Sequence, residues 1–194
     1  MRGWSGPALF FLGLHEDTGE SRYLDLARRA VHLDLDHFPG TARTPAPSDG
    51  SPPLPTLGAG SAGITVALAA YLRHRPEEAL TDPLDALHTA PDLDFTVYSG
   101  LLTGRAGLAA ALAHNRAVER DPGLAAALTS HIRDLAWHAL PHEGGIATFG
   151  AQNMRLSMDL ATGTAGILHA LRTVTDGLPV LPLLSRPRGR EDRP

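Results

Sequence analysis

The sequence predicts an all-α protein whose helices form two concentric layers, an α/α toroid. Three observations carry this: a glycine pair that recurs four times, an apolar run after each recurrence, and amphipathic stretches between the runs. The recurring stretches are "GWSGPALFFLGL" (Gly3, Gly6), "GAGSAGITVALAAYL" (Gly60, Gly63), "LTGRAGLAAALA" (Gly104, Gly107) and "ATGTAGILHAL" (Gly163, Gly166). Their second glycines are 57, 44 and 59 residues apart, which leaves room for a helix, a turn, a second helix and a loop. Repetition on this scale marks an array of helical hairpins.

After each second glycine the chain stays apolar for about two turns, which suits a helix buried nearly all round. The first glycine of each pair is expected in a tight, positive-φ turn, and the second is expected to let the helix approach its neighbours. Between these helices lie amphipathic ones. "SRYLDLARRAVHLDLDHF" sets Leu24, Ala27, Val31 and Leu35 on one stripe, with Arg28, Arg29 and Asp34 off it. "DPGLAAALTSHIRDLAWHAL" opens with Asp121 as N-cap and Pro122 at the first helical position. Its stripe is Leu124, Leu128, Ile132, Leu135 and Ala139. Residues 76–89 supply a third, poorer helix interrupted by Pro83.

Two joins are long. Residues 39–57 are rich in Pro, Ser and Gly and read as an extended excursion. Residues 141–160 hold Gly144 and Gly145, then a β-prone piece at 146–149, and are the better candidate for shaping a mouth. One domain is expected over residues 1–184, followed by a disordered tail, 185–194.

Gly58, Gly60 and Gly63 also fit the G-x-G-x-x-G spacing of a dinucleotide-binding turn. That turn needs a strand before it and an acidic residue about 20 positions on. "SDGSPPLPTL" stands before Gly58, and its prolines deny a central strand its donors. The nucleotide reading therefore fails. Composition narrows the classes further: the 194 residues carry a formal charge of −4, which speaks against a nucleic-acid partner. No apolar run reaches the length of a membrane span. With no Cys there is no disulfide, Cys nucleophile or thiolate metal ligand.

The four repeat starts, with flanks such as "GLLTGRAGL" and "RLSMDLATGTAGIL", resemble the lanthionine synthetase C-like cyclases. The resemblance is greatest to the cyclase domain ending the class III synthetases, which carry lyase, kinase and cyclase domains, and it spans residues 3–168. That family's fold is a toroid of seven helical hairpins, so the resemblance implies a partial toroid of about four. It implies an enzyme that adds Cys thiols of a precursor peptide to dehydroalanine or dehydrobutyrine, with a kinase/lyase partner or self-association. A cytoplasmic location is expected from the start of the chain, whose short apolar stretch is interrupted by Pro7 and Gly13 and makes a poor signal peptide. No kinase motif is present. Zinc-dependent members hold the metal through Cys, Cys and His at positions that correspond here to Gly58, Leu102 and Thr103. The resemblance therefore implies a cyclase without zinc or other cofactor.

Without a metal, a base must help a thiol whose ordinary pKa is about 8.5. His142, beside Glu143 and the glycine pair, and Asp159, four residues before Gly163, are the candidate catalytic residues. Asp159 is open to three readings: a base, an orienting partner for His, or a cap, with the cap favoured. His15, His32, His37, His74, His88, His114 and His131 read as solvated surface residues, and His169 as a hydrogen-bonded core residue. His138 and His142 are four apart, but Pro141 interrupts any helix that would bring them together on a metal. Ser5 and Ser61 read as small packing residues rather than nucleophiles. Glycosidases of toroidal fold need paired carboxylates that these helix starts lack. A non-catalytic helical scaffold or remnant that binds the peptide or a partner synthetase stands as the alternative.

Overall fold

The computed structural model describes residues 3–37, 55–81, 87, 96–115 and 121–182. Most of the excursion at 39–57, residues 82–86 and 88–89 of the helix expected over 76–89, and the tail at 185–194 lie outside the described residues; within 76–81 the chain forms a 3-10 turn at Glu78–Leu80. Six α-helices are described: α1 (Ser5–Thr18), α2 (Ser21–His37), α3 (Ser61–His74), α4 (Arg105–His114), α5 (Pro122–Asp134) and α6 (Thr164–Asp176). Two short strands, β1 (Leu140–His142) and β2 (Gly145–Ala147), pair antiparallel between α5 and α6. None of the described helices is long and apolar enough to cross a membrane.

The four helices that follow the glycine pairs form a row, with α1 on α3, α3 on α4 and α4 on α6. They run parallel, because the loops before α3, α4 and α6 bond to one another while their far ends meet around Arg73, His114 and Val180. The amphipathic helices run the other way. α2 returns from the left-handed Gly19 (φ 73°), whose N–H donates to the His15 carbonyl, and packs on α1 and α3. α5 packs on α4, and its start is as expected: the Asp121 carboxylate accepts the Gly123 and Leu124 N–H groups ahead of Pro122.

Burial departs from a uniform inner layer. α3 and α4 are buried almost throughout, Ser61–Leu68 and Arg105–Leu112 without a break. α1 buries only Ser5, Ala8, Leu9 and Leu12, fewer residues than the outer helix α2, and α6 leaves Leu168 exposed. The cause is position in the row. The apolar run of each helix prepares it for two neighbours in the row, and among the described residues α1 and α6 each have one.

An ion-pair cluster fastens α2 to the end of α3. Arg28 donates to Glu77 through Nε and Nη2 at 2.8 and 2.5 Å, and the Tyr71 hydroxyl adds a bond of 3.3 Å. The Arg28 hydrogen bonds hold the Glu77 carboxyl down at about 2, from an ordinary 4.5. A carboxylate with a depressed folded-state pKa contributes stability that is present above its unfolded pKa and lost as pH falls through the folded one. Glu77→Gln should therefore lower the urea midpoint at pH 7, and the gap to wild type should narrow as pH falls from 4.5 toward 2. A gap that stays constant over that window would show that Glu77 acts through packing alone.

Candidate functional site

The helices α3, α4 and α6 each begin beneath a loop that folds back over them. Before α4, the Tyr98 carbonyl accepts the Arg105 N–H and the Ser99 carbonyl accepts that of Ala106. Before α6, the Ser157 carbonyl accepts the Thr164 N–H in the same way. Donors that a helix start would leave open to an anion are thus closed by the loop.

This folding back is what demands glycine. A Cβ on Gly104 would lie 2.2 Å from the Tyr98 oxygen, and one on Gly107 would lie 1.9 Å from that of Leu101. The corresponding distances at Gly163 and Gly166 are 2.4 Å to Ser157 O and 2.1 Å to Leu160 O. The positive-φ turn expected at the first glycines is corrected for three repeats: φ is −146° at Gly60, −142° at Gly104 and −103° at Gly163. Only Gly3, at φ 94°, meets that expectation.

The loops also bond to one another at equivalent positions. The Gly58 N–H donates to the Leu102 carbonyl at 2.7 Å, and the Leu102 N–H donates to the Ala161 carbonyl at 2.8 Å. Each of the three stands two residues before the first glycine of its repeat. Gly58 and Leu102 are therefore neighbours, and a Cβ on Gly58 would lie 3.1 Å from that of Leu102. Gly58, Leu102 and Thr103 offer a hydrogen, a hydrocarbon chain and a neutral hydroxyl, whereas zinc sites draw on Cys, His and carboxylates.

Asp159 lies in the last of these loops. Its carboxylate accepts from the Ser157 hydroxyl at 2.5 Å, the Thr162 N–H at 2.6 Å and the Thr162 hydroxyl at 2.8 Å. These bonds, that of Ser157 foremost, hold it at about 2. It braces the turn that delivers Gly163 to α6.

His142 ends β1, facing Gly145 across a two-residue turn at Glu143 (φ 47°) and Gly144 (φ 78°). The sequence marked the β-prone piece but missed its partner strand, because three residues leave no readable alternation. The His142 side chain is half exposed, with Nε2 3.9 Å from Glu143 Oε1. Thr148, just past β2, ties this hairpin to α6, its N–H donating to Thr164 Oγ1 at 3.0 Å. His142 and Asp159 thus share the loop end of the row, although no hydrogen bond or ion pair joins them. The stretch between them in sequence exposes Ile146, Phe149, Met154 and Met158, and Leu160 follows Asp159.

Several polar residues read as surface or filler are buried and structural. Asp34, placed off the apolar stripe of α2, is buried, and it accepts the Trp4 N–H at 2.7 Å and the Ser5 hydroxyl at the start of α1. Ser5 is therefore a donor and not only a small residue. His131, assigned to the surface, is 2% exposed, with Nδ1 3.3 Å from Arg105 Nη1. His114 is half-buried, and burial, helped by Arg73, pulls its pKa down to about 4. His169 bonds to the Pro179 carbonyl at 2.9 Å, as a core histidine should. A hollow lined by Leu9, Leu12, Glu16, Val66, Arg73 and His114 lies at the far end of the row, away from His142 and Asp159. Among the described residues, no three His, Asp or Glu side chains gather into a metal-binding group.

The chain is 39% identical over 199 residues to a protein named Probable SapB synthase from Streptomyces coelicolor. The match takes in all of this chain and 21% of that relative, so the chain spans about a fifth of the length of the curated protein it matches. No family model matches the chain.

Proposed function

We propose that the chain is a lanthionine synthetase C-like cyclase domain of the class III kind, a partial α/α toroid that closes thioether rings in a precursor peptide without zinc. The observation that carries this reading is the neighbourhood of Gly58 and Leu102. Positions where zinc-dependent cyclases hold their metal adjoin in space, yet they have no ligand atoms to give. Identity over the whole chain to a protein named as a synthase supports it further.

In the reaction, the thiol proton leaves to a base and the sulfur bonds to the β-carbon of the dehydro residue. The π electrons move toward the adjacent carbonyl as an enolate, and a proton returned to the α-carbon completes the ring. His142 is the group suited to take and return that proton, being half exposed at the loop end. Asp159, held near 2, is a weak base at neutral pH and serves as a positioning residue for the α6 loop. The exposed Ile146, Phe149, Met154 and Met158, in the loop that follows His142, offer a peptide apolar surface. A reducing cytoplasm would keep the substrate thiols free.

A synthetic peptide carrying one Cys and one dehydroalanine tests the proposal, with thioether formation followed by thiol alkylation and mass spectrometry. The chain should accelerate closure, EDTA should leave the rate unchanged, and His142→Gln should lower it about 100-fold. Asp159→Asn should lower the urea midpoint without moving the pH profile of the rate. About one zinc per chain after dialysis, or closure lost with EDTA and restored by zinc, would overturn the metal-free mechanism. The exposure of His142 and Glu143 favours a second reading, a scaffold that binds the peptide without turnover. Binding by fluorescence anisotropy with no acceleration would establish that reading instead.

A further inference from the structure

In three of the four repeats the residue after the first glycine holds the element that packs next to the inner helix. The Trp4 N–H donates to Asp34 of α2, and the Arg105 guanidinium meets Asp134 of α5. Thr164 stands at the same position as the first residue of α6, and its partner is the hairpin that carries His142. That hairpin stands in solvent. Residues 141–146 are exposed, whereas Ala147 and Thr148 at its root are buried. What holds the root therefore sets where His142 stands.

One hydroxyl gathers the bonds at that root. Thr164 Oγ1 accepts the Thr148 N–H at 3.0 Å, meets Thr148 Oγ1 at 3.1 Å and donates to the Ser157 carbonyl at 3.2 Å. A hydroxyl has one proton and two lone pairs, so these three bonds use it to capacity when Thr148 gives the proton between the two threonines. The Thr148 carbonyl closes the circuit by accepting the Ser157 N–H at 3.1 Å. Ser157 also carries the hydroxyl that bonds to Asp159. The root of the hairpin, the turn at Asp159 and the start of α6 thus converge on Thr164. A valine there would keep the shape but leave the buried Thr148 N–H without its acceptor.

We propose that Thr164 is a positioning residue for thioether closure, fixing the root of the hairpin so that His142 is held at the loop end of the row. The proposal rests on the reading of His142 as the base, and it has Thr164 act only through that residue.

A double-mutant cycle tests it, with the peptide that carries one Cys and one dehydroalanine as substrate. Thr164→Val should lower the closure rate at saturating peptide about 10-fold and leave KM within about twofold. In the His142→Gln background the same change should cost nothing further, because an effect transmitted through a side chain vanishes with it. Thr164→Ser, which keeps the hydroxyl, should restore most of the lost rate. Amide hydrogen exchange reads the anchor without catalysis: Thr164→Val should speed exchange at Thr148 about 10-fold and leave the amides of α4 as they were. A Thr164→Val chain with the wild-type rate, a loss that adds in full to that of His142→Gln, no rescue by serine, or unchanged exchange at Thr148 would each overturn the proposal. A wild-type chain without acceleration would instead overturn the cyclase reading, and this proposal with it; the other outcomes leave that reading standing.

Discussion

Gly107→Ala should destabilise the chain by about 3 kcal/mol or more, although alanine is the better helix former. In an exposed helix the exchange would gain about 1 kcal/mol through propensity. Here the new methyl would stand 1.9 Å from the Leu101 carbonyl oxygen and 3.0 Å from the Leu57 side chain. Relief would require moving the loop that covers the start of α4, and that loop bonds to its neighbours through Leu102. The strain would therefore spread to the loops before α3 and α6. Gly166→Ala should behave alike, since its Cβ meets Leu160 O at 2.1 Å. Gly145→Ala is the control: its nearest neighbour is His142 O at 3.6 Å, and the change should stay within about 0.5 kcal/mol. Urea denaturation of the three variants checks this, and a Gly107→Ala chain as stable as the control would show that the loop yields freely.

Spacing and apolar runs made these glycines visible in the sequence, but their reason was not. Glycine serves positive φ and close approach equally, and only the position of the Tyr98 and Leu101 carbonyls separates the two. The exposure of α1 and α6 was hidden for a related reason. "GPALFFL" and "GILHAL" record what a helix is prepared to bury, and whether a neighbour stands there is not a local property. Asp34 and Asp134 were missed because an apolar stripe assigns every charged residue to solvent. A signal was available, since Asp34 lies 29 residues after Ser5, and Asp134 lies 29 after Arg105. In two hairpins the returning helix brings an aspartate to the start of the inner one. His142 and Asp159 became the candidates because a long polar join before a repeat start is where function collects. Their separate environments follow from side-chain bonds that spacing does not encode.

Asp134→Ala should produce the largest loss among charged substitutions, a fall of about 10 °C in melting temperature. Arg105, the first residue of α4, is 3% exposed, and its Nη1 lies 3.2 Å from Asp134 Oδ2. The guanidinium stands at the positive end of the α4 dipole, which favours an anion there and not a cation. The Asp134 carboxylate reverses that balance and also accepts from Arg133 Nε at 2.9 Å. Hydrogen bonding to Arg133 holds the Asp134 pKa below the usual carboxylate range, so the carboxylate is charged throughout the neutral range. Without it, the buried Arg105 guanidinium beside His131 loses the carboxylate that lies 3.2 Å from it. Truncating one partner of a buried pair costs far more than replacing both with well-packed apolar residues. The double variant Arg105→Met, Asp134→Leu should accordingly recover most of the lost melting temperature. Asp176→Ala, which removes the exposed i,i+4 pair with Arg172, should leave the melt almost unchanged. If the double variant melts no higher than Asp134→Ala, the aspartate acts through its bonds to Arg133 and Ser130 rather than by neutralising Arg105.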